Sequence, residues 1–133
     1  MHITPLYASL LALLFVALSV RTLRLRKTLG IAIGDSGSAA MLRAMRVHSN
    51  FAEYVPLCLI LISMVELQGA APLFVVHGLG IALLAGRAAH AYGVSQTREN
   101  YAFRTFGMAM TLGTIIVCSG LLLRAQVAAF MGG

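Results

Sequence analysis

Apolar positions fall along this chain in four long blocks, parted by short polar ones. Crossing a hydrocarbon core takes about 20 predominantly apolar residues. The blocks predict helical spans over about residues 5–21, 39–68, 72–92 and 101–130, in one domain covering 1–133. "RTLRLRKTLGIAIGDSGS" (21–38) is basic and then Gly/Ser-rich, and reads as a loop after the first helix end. "QGAAP" (68–72) reads as a short turn, with Pro72 placed to open the third helix. "GVSQTREN" (93–100) reads as a polar loop. The second helix is unusual in that its first three turns are polar, and its greasy part starts only near Phe51.

Composition moves the picture from four helices to a membrane. The chain is 59% hydrophobic and 11% charged, against about 45–50% and about 25% for an ordinary globular domain. A soluble fold of 133 residues has no interior large enough for that much apolar surface, so the fold class read here is an all-α integral membrane four-helix bundle. The N-terminus lacks a basic segment ahead of its apolar run and no clear cleavage site follows, so it reads as a retained span.

The net charge is +6. In a soluble protein this would suggest nucleic acid, but here no soluble basic domain exists to bind it. Arg21, Arg24, Arg26, Lys27, Arg43 and Arg46 flank the first connection, and Arg98 and Arg104 the third. The second connection has only Glu66 close by. The positive-inside bias then puts the first and third connections in the cytoplasm and both termini on the opposite side. Cys58 and Cys118 lie inside apolar runs without metal or disulfide spacing and read as small buried hydrophobes; no metal site is expected. "GLG" (78–80), Gly107, Gly113 and Gly120 read as close-packing positions.

The polar start of the second helix carries the candidate chemistry. Arg43, Arg46, Asn50 and Glu53 recur at helical spacing and form one ridge, with His48 roughly opposite. A carboxylate at membrane depth is costly unless it is paired or watered, which makes Glu53 a functional candidate. In the third helix Arg87 and His90 share a face, and Arg87 is the natural counter-ion for Glu53. Arg104 stands one turn inside the fourth helix, beside Thr105, and its planar fork suits a carboxylate, a phosphate or a thiolate. Asp35, the one acid of the first loop, is placed to cap the second helix or to approach an arginine. Arg24, Arg46, Asn50, Glu53, Arg87, His90 and Arg104 together predict a cationic pocket with one acid. Such a pocket suits a small ligand with several carboxylates and an ammonium, and the surrounding lipid lets an apolar second ligand approach.

Those residues resemble the MAPEG family, the membrane-associated proteins of eicosanoid and glutathione metabolism. "RAMRVHSNFAEYVP" (43–56) matches the pattern R-x-H-x-N-x-x-E-x-x-P through Arg46, His48, Asn50, Glu53 and Pro56. "RLRK" (24–27), "GRAAH" (86–90) and Arg104 in "RTFG" follow in order, and "NFAEYVPL" and "VELQGA" resemble the bacterial branch. The resemblance implies a homotrimer that holds glutathione between neighbouring subunits and a bacterial inner-membrane location. It places Arg24, Arg46, Asn50, Glu53, His90 and Arg104 at glutathione-contacting positions. Arg104 would stabilise the thiolate, Thr105 would donate a hydrogen bond to the sulfur, and Asp35 would stand near the arginine. The implied activity is a glutathione transferase or peroxidase acting on lipophilic electrophiles or lipid hydroperoxides. A non-catalytic lipid-binding or scaffold protein of the same fold is the alternative. The chain departs from the family where relatives carry a tyrosine one turn beyond the helix-three histidine, since that place is near Val94 here.

Overall fold

The computed structural model describes residues 2–132. It contains four helices in chain order, α1 (Thr4–Leu29), α2 (Ala39–Leu67), α3 (Leu73–Ser95) and α4 (Tyr101–Gly132). All four are long and apolar enough to cross a membrane. The architecture is all-α, as the block pattern predicts.

The first helix is longer than the sequence suggests. The basic run after Val20 was expected to be loop, yet α1 continues through it to Leu29. Leucine, arginine and lysine are good helix formers, and nothing breaks the helix until Gly30. That glycine takes the left-handed conformation at φ 66°, and the Ile31 N–H closes onto the Arg26 carbonyl at 3.0 Å. Arg26 and Lys27 fall in the last turn, where the helix dipole favours cations. The connection to α2 therefore starts at Gly30, nine residues later than the expected end at Arg21. The third and fourth helices likewise run slightly past their expected ends, to Ser95 and Gly132.

The start of α1 is capped from a distance. Pro5 stands in its first turn, and the flanking Ile3 has no side chain able to cap. The Glu66 carboxylate, at the end of α2, takes that role. It accepts from the N–H groups of His2 (2.5 Å), Ile3 (2.9 Å) and Thr4 (2.8 Å), and from the Thr4 hydroxyl (2.5 Å). Helix N-termini leave such donors unsatisfied and carry positive partial charge. α2 opens on Ser38, whose Oγ accepts from Met41 N–H at 3.3 Å, and runs through Pro56 without interruption.

α2 and α3 touch each other and both outer helices, while α1 and α4 do not meet. The shared core includes Leu11, Val47, Phe51, Cys58, Ile62, Val76, Leu83 and Cys118. α3 and α4 cross closely where Gly107 has no side chain, since a Cβ there would overlap the Gly86 carbonyl and His90. Gly80 makes room for the Tyr7 ring in the same way. Gly78, Gly113 and Gly120 face open space, so they are not close-packing positions within one chain. Apolar side chains such as Leu13, Val16, Ile60, Ile81, Ile116 and Leu123 point outward, as lipid-facing surfaces do.

Candidate functional site

The end of the molecule that holds the first and third connections also holds most of the arginines, Arg124 standing at the other end against the Ala70 carbonyl. There α2, α3 and the start of α4 enclose a cavity of about 340 Å³. The α2 ridge forms one wall with Arg43, Arg46, Asn50 and Glu53, and His90, Val94, Glu99 and Arg104 form the other. Five of the seven residues expected in the pocket line it: Arg46, Asn50, Glu53, His90 and Arg104.

Arg87 does not join them. It was expected to neutralise Glu53, and instead it lies behind the wall, 1% exposed. Its guanidinium donates to Asn50 Oδ1 at 2.7 Å and to Thr111 Oγ1 at 3.3 Å. The reason lies in the helix registers: α3 and α4 bring Thr111 to Arg87 on the core side of α2, whereas Glu53 lies on its exposed side. The directions of these bonds are fixed. Thr111 gives its own proton to the Gly107 carbonyl at 2.8 Å, so its oxygen accepts from Arg87. Asn50 Oδ1 also accepts from Arg87, which leaves the amide Nδ2–H donors of Asn50 for the cavity it lines.

The one ion pair among the described residues joins Arg104 to Glu99 at 2.8 Å, with the side chains 49% and 28% exposed. Glu53 therefore lines the cavity without an ion-pair partner, as the only other carboxylate there. His90 is 5% exposed, and its Nδ1 is buried with no hydrogen-bond partner. A buried polar atom without a partner costs free energy, and here it belongs to a side chain that lines the cavity.

Arg24 opens on a different cavity, of about 660 Å³, with Arg21, Thr28 and Ser95. Arg43 lines both cavities. Thr105 is exposed and lines neither. Asp35 stays in the first connection, where its Oδ1 accepts from Gly37 N–H at 3.1 Å. Its side chain does not cap α2, because Ser38 does. Val94 occupies the wall at the place where the resemblance leads one to expect a phenol, and Tyr92 turns outward against Phe103, ring centroids 5.3 Å apart. Sequence reading missed Glu99, although an acid five positions before an arginine at a helix start was a visible cue. It also missed Thr111, whose hydroxyl in an apolar run gave no such cue.

A family model described as the MAPEG family matches residues 4–124 of the chain. Among curated proteins, the chain is similar to "Inner membrane protein YecN" of Escherichia coli strain K12, with 38% identity over 109 residues. That match covers 82% of this chain and 81% of the relative. The protein of the same name from Escherichia coli O6:H1 matches with the same identity and coverage.

Proposed function

Since the chain belongs to the MAPEG family, we propose that it is an integral protein of a bacterial inner membrane that binds glutathione and activates it against lipophilic electrophiles or lipid hydroperoxides. The inner-membrane location follows the name of its relatives, and the four apolar helices support it. The basic ends of the helices support a cytoplasmic position for the first and third connections.

One observation carries the reading. The cavity wall combines Arg43, Arg46 and Arg104, an amide with only donors to offer, a single unpaired carboxylate and an unpartnered buried imidazole nitrogen. Glutathione brings two carboxylates, one ammonium and several amide carbonyls, and this set fits that wall. Arg46 and Asn50 would hold a carboxylate, Glu53 would hold the ammonium, and His90 would take a polar backbone group. When bound, glutathione supplies a thiol whose anion forms a carbon–sulfur bond as the electrophile's leaving group departs, or, taken twice, reduces a hydroperoxide to alcohol and water with formation of the disulfide. Arg104 favours the anionic form of that sulfur. Free thiols titrate near about 8.5, and lowering that by ~2 units is about 2.7 kcal/mol of preferential stabilisation. Arg24, Asp35 and Thr105, which stand outside this cavity in one chain, would reach it from neighbouring copies of a homotrimer.

The Arg104–Glu99 pair favours the second reading, a non-catalytic lipid-binding or scaffold protein, because it already neutralises the guanidinium. Titration of glutathione by calorimetry in detergent separates the two. Binding, with thiolate absorbance in the ultraviolet that Arg104→Ala abolishes and Glu99→Gln strengthens, supports the enzyme. No binding at millimolar glutathione supports the scaffold.

A further inference from the structure

The basic end carries a second cavity, independent of the glutathione reading. It is the hollow of about 660 Å³ between α1, the first turns of α2 and the end of α3. On α1, Ala17, Arg21 and Arg24 follow one another at steps of four and three and form one stripe. Ala40 and Arg43 face that stripe from α2, and Ser95, the last residue of α3, closes the hollow. Its lining has three guanidiniums and no carboxylate. The neighbouring cavity, by contrast, sets Glu53 and Glu99 among its arginines.

Arg21 is held in a fixed direction. Its guanidinium donates to Ser95 Oγ at 2.5 Å, and Ser95 gives its own proton to the Ala91 carbonyl at 2.5 Å. The serine is thus purely an acceptor toward Arg21. One hydrogen bond ties α1 to the end of α3 and leaves the other N–H groups of Arg21 to a ligand. The one ion pair among the described residues joins Arg104 to Glu99, so no carboxylate neutralises the cluster. Like charges gathered round one hollow repel, and an anion between them relieves that repulsion. A charge bias that only orients helices needs arginines on any exposed helix end. Here they come from two helices, surround a hollow, and are braced by a third.

Depth and charge select the occupant. At a rise of about 1.5 Å per residue, α1 climbs about 30 Å between Thr4 and Arg24, the thickness of a hydrocarbon core. Arg21 and Arg24 therefore stand at the headgroup level of the leaflet at the basic end, and Ala17 and Val20 lie below it, against the acyl chains. The cavity crosses that border, with its apolar floor toward lipid and its guanidiniums toward water. A water-soluble phosphate ester would use the arginines but not the floor. A zwitterionic headgroup brings an ammonium, for which the cavity has no carboxylate. A guanidinium binds phosphate oxygens with a matching planar fork, and basic pockets between membrane helices suit anionic headgroups. We propose that the hollow between α1 and the end of α3 is a site for an anionic phospholipid, its phosphate held by Arg21 and Arg43 and the start of its acyl chains laid on Ala17 and Val20. Arg21 and Arg43 suffice to grip the two free oxygens of a phosphodiester, which leaves Arg24 able to serve a neighbouring copy.

The test is native mass spectrometry of the full chain, delipidated in detergent and titrated with dioleoyl phosphatidylglycerol. One tightly held lipid per chain is expected, bound about tenfold or more better than dioleoyl phosphatidylethanolamine. Arg21→Gln and Arg43→Gln should each weaken it about tenfold, the loss of one charge-assisted hydrogen bond. Lys27→Gln removes the same charge from an exposed position that lines neither cavity, and should leave the affinity within about twofold. Ala40→Glu sets a carboxylate among the arginines from an exposed position in the first turn of α2, where the helix dipole favours an acid. It should abolish binding while the thermal melt stays level or rises, so a folded variant decides the matter even if an arginine variant fails to fold. Equal binding of the ethanolamine lipid overturns the proposal, as does unaltered binding in Ala40→Glu. An equal loss in Lys27→Gln would assign the lipid to diffuse surface charge and overturn it too. Displacement of the lipid by equimolar glycerol 3-phosphate would do the same, by assigning the hollow to soluble phosphate esters.

Discussion

Replacing Asn50 by aspartate separates stability from ligand binding. Asn50 accepts from the buried Arg87 through Oδ1 at 2.7 Å and turns its amide donors to the cavity. Aspartate keeps the acceptor and gives Arg87 the carboxylate it lacks. At an effective dielectric of about 20, unit charges about 4 Å apart attract by roughly 4 kcal/mol. Desolvation of the new carboxylate offsets much of this, and the cavity leaves part of it in contact with water. A net stabilisation of about 1–2 kcal/mol is expected, read as a raised melting temperature in detergent. Binding moves the other way. The variant has no Nδ2–H donors and presents negative charge to an anionic ligand. A lost hydrogen bond to a charged partner is worth about 1.5–3 kcal/mol, so calorimetry should show glutathione affinity reduced by about 10- to 100-fold. Asn50→Leu should lose both properties, because it leaves Arg87 with Thr111 alone. An aspartate variant that binds glutathione as tightly as the original chain, at unchanged stability, would refute the assigned direction of the amide.

Two further perturbations address the frame that holds the site. Glu66→Gln keeps one acceptor but sets an NH2 group against the donors of His2, Ile3 and Thr4; a loss of about 1–3 kcal/mol is expected, with faster amide exchange confined to the start of α1. Gly107→Ala and Gly113→Ala should act with opposite sign. The first places a methyl group against the Gly86 carbonyl and His90, costing about 1–3 kcal/mol by overpacking and weakening ligand binding through His90. The second faces open space and should gain up to about 1 kcal/mol from helix propensity, both by thermal melts.

The helices were legible because their cause is local. Apolar runs of spanning length, Pro72 before α3 and the polar 93–100 segment are properties of neighbouring residues. The end of α1 was misplaced because charge was read as a stop signal, whereas arginine and lysine stop nothing; the stop is Gly30. The α2 ridge was legible through its period, and Arg46, Asn50 and Glu53 do share one wall. The partner of Arg87 was not legible. Opposite charge made Glu53 the obvious choice, but the choice depends on which side of α2 meets α3 and α4, and no spacing within one helix reports that. Glu66 escaped for the same reason, since its partners are more than 60 residues away.

Arg87 also explains why the ridge can exist at all. A guanidinium 1% exposed between apolar helices is held by a neutral amide and a hydroxyl, with its Nε unpartnered. A carboxylate in place of Asn50 would satisfy it better and would also close the wall to anions. The chain keeps its carboxylate one turn further along, at Glu53, on the cavity side. The buried positive charge is thus left uncompensated behind a wall that already shows Arg43, Arg46 and Arg104. At low effective dielectric such a charge acts over several ångströms, so it strengthens the attraction of the cavity for an anion without touching it. Removing it by Arg87→Met, which retains apolar volume, should lower the affinity for glutathione while that for uncharged analogues of the same peptide stays level. A parallel loss for both would show that Arg87 acts through packing alone.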